Sequence, residues 1–382
     1  MLLSACRVFL GTEKPAQLEA TLAQGRDWDK VLQLANRQGV MPLLYRTINQ
    51  SCPQAVPQKW LARLKMLYLQ NTAQNLKMTS ELLKILDAMR EASIKAVPLK
   101  GPILAQQAYG DISARTFVDL DILVPKKDVM HTKDLLLLEG YCPDLLLNQD
   151  QEKAYLKSQC EYNFNQKARG IHLEVHWQLL PSCYAIGFDE NGIWSRINAI
   201  AFNDCSIPVL SSEDLLLALC IHSAKHWWGA NTLKMICDVG AVLHSCPNLD
   251  WNQTMRCAGE LHVERLLLLG CKLAEGLLGI ELPEDISKKS GDDKAIRSMV
   301  SNILSNLMEG SKRSSMLMEG FSFWSLARER HSDRIRSVMG LALQPMGEDL
   351  QKVPLPAWLY PLYHIIHPVR IICDYGMKGR EI

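Results

Sequence analysis

The alternation of apolar and polar residues is clearest in two short stretches. In Val118 to Val124, the apolar Val118, Leu120 and Ile122 alternate with Asp119 and Asp121. A strand has a side-chain period of two, so both carboxylates fall on one solvent-accessible face and the aliphatic set packs on the other. From Ile171 to Trp177, Ile171, Leu173, Val175 and Trp177 alternate in the same way with His172, Glu174 and His176. The apolar run Ile94 to Leu99 predicts a third strand, ending at Lys100-Gly101-Pro102. Glycine there permits a tight turn, and proline suits the first turn of a helix.

Elsewhere the spacing is helical. The N-terminal stretch Met1 to Gly11 and residues 27–36 read as core helices; residues 58–90 read as a long amphipathic helix broken near Asn71 to Asn75. Residues 126–139 predict a helix ending at Gly140, and Pro181 to Asn198 a loop. Ala201 to Val209 predicts an edge strand, because Pro208 cannot donate to a ladder. Ser211 and Asp214 then cap a helix. Helices follow over about 214–228, 231–245, 251–278, 294–308, 320–338 and 356–374, with Lys288 to Asp293 as an exposed linker. This order predicts an α+β chain: a helical segment at 1–92 that buttresses the sheet, a small mixed-sheet core at 93–210, and an all-helical domain at 211–382.

Composition narrows the class. A chain of 382 residues that is 48% hydrophobic can bury a sizeable core, and a net charge of +1 leaves no broad electrostatic footprint for nucleic acid. The twelve cysteines are scattered, with no C-x-x-C pair, and read as buried hydrophobes in a reducing, cytoplasmic setting. No apolar run is long enough to span a membrane. The stripe of Leu359, Leu362, Ile365, Ile366 and Val369 carries only Arg370 as a basic partner, so it is expected to pack on the helical domain rather than seek a lipid surface.

Two acids two residues apart on a strand lie about 6.8 Å apart, and their repulsion in a cleft is relieved by divalent cations. Glu174, from the second alternating strand, is a third carboxylate for the same site; its alternative is an ion pair with Arg169. His176 orients Glu174 or joins the site. The helix opening after Gly101 offers N–H groups to phosphate beside Lys100, and Arg115 either neutralises phosphate charge or sits in an ion pair. In the helical half, His222, Lys225 and His226 share one face, with Asp238 placed to meet them from the next helix. A zinc-protease reading of His222 and His226 fails because Ser223 stands where the motif requires glutamate.

These residues resemble the nucleotidyltransferases of the DNA polymerase beta type, in the branch of uncharacterised nucleotidyltransferases. The resemblance rests on Leu99-Lys100-Gly101, Tyr109-Gly110-Asp111, Arg115, Asp119-Leu120-Asp121-Ile122-Leu123-Val124 and Glu174-Val175-His176-Trp177, and the H-x-x-K-H run with Asp238 resembles the family's pattern too. Where many relatives follow the glycine with a serine that contacts triphosphate, this chain has Pro102. The resemblance implies a small nucleotidyltransferase core that moves a nucleoside monophosphate from a nucleoside triphosphate, ATP foremost, to a small molecule, peptide or protein. It also implies Mg²⁺, with Mn²⁺ as a substitute, held by Asp119, Asp121 and Glu174, the last also a candidate base. Lys100, Gly101, Arg115, His176, His222, His226 and Asp238 would contact the nucleotide. The rivals are a phosphohydrolase using Asp119, Asp121, His172, Glu174 and His176 around transition metals, and a catalytically silent binding module.

Overall fold

The computed structural model describes residues 1–24, 27–227, 230–309 and 316–378. It is an α+β fold in which helices surround a mixed five-stranded sheet and a separate hairpin. The sheet strands are β1 (Val97–Pro98), β2 (Leu120–Leu123), β3 (Cys142–Pro143), β4 (Glu161–Gln166) and β5 (Ile171–His176), in spatial order β1-β2-β5-β4-β3. β2 runs parallel to β5 and antiparallel to β1, and β4 runs antiparallel to both β5 and β3. The hairpin joins β6 (Asn198–Phe202) to β7 (Cys205–Val209). Its two turn residues, Asn203 and Asp204, both have positive φ, as a two-residue type I′ turn requires.

β2 differs from the expectation drawn from its alternation. The strand begins at Leu120, so Val118 lies outside the ladder and is 76% exposed instead of packed, while Asp121 is only 2% exposed instead of solvent-accessible. A strand with a parallel neighbour is covered on both faces, and here helices cover the acidic face as well as the aliphatic one.

The long helix Gln58–Glu91 is unbroken. Asn71 and Asn75 do not interrupt it, because their side chains turn to the loop ahead of β2: Asn75 Nδ2 donates to the carbonyls of Ile112 (2.6 Å) and Arg115 (2.8 Å). The helix Ser212–Ala224 stops short of the expected 228, closing in a turn over Lys225 to Trp227, and Trp228 lies outside the described residues. Where one helix was expected over 251–278, His262 at positive φ divides Trp251–Glu260 from Glu264–Leu278. Lys288 to Asp292 belong to a helix, Glu284–Asp292, and not to a linker. The 181–198 stretch contains a short helix, Glu190–Ser195, and the 320–338 stretch is split between Met316–Ala327 and His331–Leu343.

Two apolar clusters divide the interior, and both cross the linear segments. Leu2 to Ile48 pack with the helices after residue 210, so the N-terminal helices buttress the helical half more than the sheet. The second half of the long helix covers the sheet, from Met78 to Met89. Leu350 and Tyr363 also join the sheet's cluster, while the helix Tyr363–Lys378 packs on His331–Leu343 as well, where His364 Nδ1 lies 3.0 Å from the Leu343 carbonyl, so the C-terminal segment bridges the sheet side and the helical half. Tyr363 is held there by donating its hydroxyl to the Val353 carbonyl (2.6 Å). Trp358, Leu362, Ile365, Val369 and Ile372 of that segment remain exposed. Among the described residues, no helix is long and apolar enough to cross a membrane.

Candidate active site

The site grows from the β2–β5 ladder. Asp121 pairs in register with Glu174, and Glu161 on β4 pairs with His176, so four functional side chains meet on neighbouring strands. The Leu99 amide donates to the Asp121 carbonyl at 2.9 Å, which sets Lys100 beside the same strand. Gly101 then opens the helix Gly101–Tyr109 at φ +63°, a left-handed conformation that favours glycine. Asp119, just ahead of β2, lines the cleft with Lys100, Glu161 and Glu174; the opposite wall carries His222, Lys225, His226 and Lys234. The cleft measures about 300 Å³.

A chain of acids and bases crosses it. Lys100 Nζ lies 2.8 Å from Asp121 Oδ1 and 3.1 Å from His222 Nε2. His176 Nε2 lies 3.2 Å from the same Asp121 oxygen and 3.3 Å from Glu174 Oε2, while its Nδ1 is 3.4 Å from Glu161 Oε2. Lys225 Nζ closes the run at 3.6 Å from Glu161 Oε1, and His172 approaches Glu174 at 3.7 Å. Lys100 therefore faces Asp121, where the sequence reading set it against phosphate.

The charges follow from these contacts. Burial works against the ionised form of Asp121, yet Lys100 and His176 hold its pKa well below the usual range. Burial likewise opposes Glu174, but hydrogen bonds from His172 and His176 bring it to about 2. Asp119 moves the other way, raised by burial and then by the neighbouring Asp121 charge. His176 is raised well above the imidazole range despite its burial, through hydrogen bonds to Asp121, Cys160 and Glu174. It thus stands as a charged donor that orients two carboxylates. His222 and His226 are lowered, first by burial and then by nearby lysines, His226 to about 4, so both are neutral at pH 7. Neutral His222 can accept from the Lys100 ammonium.

Beside this chain, Asp238 does not meet the histidines as its spacing had suggested. Its two oxygens accept from Arg115 Nε (2.7 Å) and Nη2 (2.8 Å), and Tyr109 donates to Oδ1 at 2.7 Å. Tyr109, Arg115 and Asp238 form one buried fork joining the sheet region to the helical half. Arg169 pairs with Glu81, not with Glu174. Glu161 and Lys234 escaped the sequence reading. The alternation of Glu161, Asn163 and Asn165 with Tyr162 and Phe164 carried the signal for the first. Nothing local marks Lys234.

The residues fit a hard divalent cation. Asp121 Oδ2 is buried without a hydrogen-bond partner, and the donor atoms of Asp121, Glu174 and His176 lie within 4.8 Å of one another. With Asp119 on the same cleft, the set is rich in carboxylate oxygen, the donor type such ions take.

No curated protein matches the chain. A family model described as uncharacterised nucleotidyltransferase matches residues 24–279, more than half of the chain and every site residue described above. The protein therefore belongs to this family of nucleotidyltransferases.

Proposed function

We propose that this chain transfers a nucleoside monophosphate from a nucleoside triphosphate, ATP foremost, to an acceptor that is a small molecule, peptide or protein, with release of pyrophosphate. The observation that carries the reading is the in-register pair Asp121 and Glu174, beside a cleft that Asp119 and Glu174 line together with His222, Lys225, His226 and Lys234. In the reaction an acceptor oxygen forms a bond to the α-phosphorus, the bond from that phosphorus to the bridging oxygen breaks so that pyrophosphate leaves with its electron pair, and the acceptor proton passes to solvent, with Glu174 as the candidate base on the way.

Asp119, Asp121 and Glu174 would hold Mg²⁺ or Mn²⁺, which supplies charge neutralisation at the phosphates and orients them for in-line attack. Around them the chain's own residues position and exclude water. His176 fixes the two strand carboxylates by hydrogen bonds, and His222 and His226 offer neutral ring nitrogens to the cleft. Cytoplasmic residence accords with the unpaired cysteines.

The test is incubation of the protein and candidate acceptors with each nucleoside triphosphate and Mg²⁺, read by mass spectrometry and by pyrophosphate release. The expected result is a gain of one nucleoside monophosphate on an acceptor, absent in Asp121→Asn. Release of inorganic phosphate to water, dependent on Mn²⁺ or Zn²⁺, would establish the phosphohydrolase instead; no turnover with any nucleotide would leave a binding module.

A further inference from the structure

Four cationic side chains line the cleft among the described residues, Lys100, Arg115, Lys225 and Lys234. Three of them face a carboxylate. Lys100 lies 2.8 Å from Asp121, Arg115 grips Asp238 through two nitrogens, and Lys225 lies 3.6 Å from Glu161. Lys234 differs: among the described residues no carboxylate oxygen comes within the 4.0 Å of an ion pair, and Asp238 and Asp119 act on it only from farther away. Burial and the neighbouring Arg115 push its pKa down to about 8, because both work against the ammonium form.

The backbone nevertheless fixes it there. The Lys234 amide donates to the Gln38 carbonyl at 3.2 Å, and the adjacent Leu233 amide donates to Gln38 Oε1 at 3.0 Å. The lysine stem lies against Gly39, where an added Cβ would meet Lys234 Cδ at 2.9 Å and Cβ at 3.2 Å. A side chain pinned along its stem and unmatched at its charged end is arranged for an anion that arrives from outside.

Resting on the nucleotidyl-transfer reading above, we infer that Lys234 is a phosphate-binding residue of this cleft, contacting the triphosphate in the role that the sequence reading gave to Lys100. Lys100 is already engaged with Asp121, so it has no need of a ligand's charge, whereas among the described residues no carboxylate pairs with Lys234. A chain of phosphates, with several charges along it, suits an isolated ammonium better than a neutral acceptor does.

Calorimetric titration of the full-length protein with ATP and with inorganic tripolyphosphate, both with Mg²⁺ present, tests this. Tripolyphosphate carries the phosphates without a base, so the choice of nucleotide does not enter. The variants are Lys234→Met, which keeps the stem against Gly39, Lys234→Gln as a second neutral replacement, and Lys234→Arg as the charge-conserving one. The expected result is a loss of about ten- to a hundredfold in affinity for both ligands in the neutral variants, the size of a charge-assisted hydrogen bond, with a smaller loss in Lys234→Arg. Mn²⁺ affinity, followed by electron paramagnetic resonance without nucleotide, stays at the wild-type value. Equal affinity in wild type and either folded neutral variant overturns the inference and leaves nucleotidyl transfer standing. Failure of the wild type to bind either ligand overturns nucleotidyl transfer itself, and the role of Lys234 with it.

Discussion

Asp121 and Asp119 stand two residues apart, yet their carboxylates are in opposite electrostatic situations. Asp121 accepts from Lys100 at 2.8 Å and from His176 at 3.2 Å, whereas Asp119 has no such match among the described residues and is made harder to ionise by burial and by Asp121 itself. The pair therefore separates function from stability. Both Asp119→Asn and Asp121→Asn are expected to abolish transfer. Only Asp121→Asn should weaken the metal-free fold, by about 2–4 kcal/mol, because it leaves a mostly buried Lys100 without its partner. Asp119→Asn should unfold at or slightly above the wild-type temperature in chelator. Equal melting temperatures for the two variants would contradict this division.

Acid should weaken the metal-free protein in two stages. His226 is lowered from 6.5 to about 4, so the unfolded chain binds its proton first, and the stability present above pH 6.5 is lost as pH falls toward 4. Glu174 is lowered from 4.5 to about 2, so its contribution is present above pH 4.5 and is lost as pH falls toward 2. Because His222 is lowered too, His226→Gln should reduce the first limb without abolishing it, by on the order of 1–2 kcal/mol after allowing for the partial exposure of His226, and leave the second. Urea unfolding at half-unit pH steps reads both; an unchanged slope between pH 6.5 and 4 in His226→Gln counts against the neutral, buried state.

The Arg115–Asp238 fork should behave as a structural pair. Removing one partner leaves a buried charge, so Asp238→Ala is expected to cost about 3–5 kcal/mol in denaturant unfolding. Arg115→Lys keeps the charge but loses the two-nitrogen grip, and should itself be destabilising, by less than Asp238→Ala. A double replacement, Arg115→Met with Asp238→Leu, should cost less than the sum of the single variants. Additive losses would show that the two side chains do not act as a pair.

Gly39 offers a route to the cleft from outside it. Its φ of +67° disfavours any other residue, and an added Cβ would come within 2.9 Å of both Asn231 Oδ1 and Lys234 Cδ. Gly39→Ala should therefore cost about 1–2 kcal/mol from backbone strain and also displace the Lys234 stem. Differential scanning calorimetry with tripolyphosphate titration is the measurement. A variant with wild-type stability and wild-type tripolyphosphate affinity would sink it.

Much of the architecture was legible in the linear pattern because local rules govern it. The alternations around Asp121 and Glu174 marked β2 and β5, the Lys100-Gly101-Pro102 turn marked the following helix, and Ser211 marked the helix that supplies His222; its hydroxyl indeed accepts from the Asp214 amide at 3.1 Å. The local pattern misled where a distant partner overrode it. Asn71 and Asn75 look like breaks in a helix until the Ile112 and Arg115 carbonyls are seen to take their amides.

The sequence by itself determined that Asp121 and Glu174 belong to two strands beside a glycine turn, with Asp119 at the entry to the first, because side-chain period and turn chemistry are properties of a few consecutive residues. Only the tertiary structure decided what each charge faces. Strand order put Glu174 next to Asp121 across residues far apart in the chain, and the packing of the Ser212–Ala224 helix over the sheet brought His222 to Lys100. The helix Thr232–Ser245 carried Asp238 to Arg115, and the Gln38–Gly39 turn fixed Lys234 at the cleft. Coulombic matching falls off over a few ångströms and takes no account of sequence separation, so the engaged lysine and the unmatched one become distinguishable only when the chain is folded.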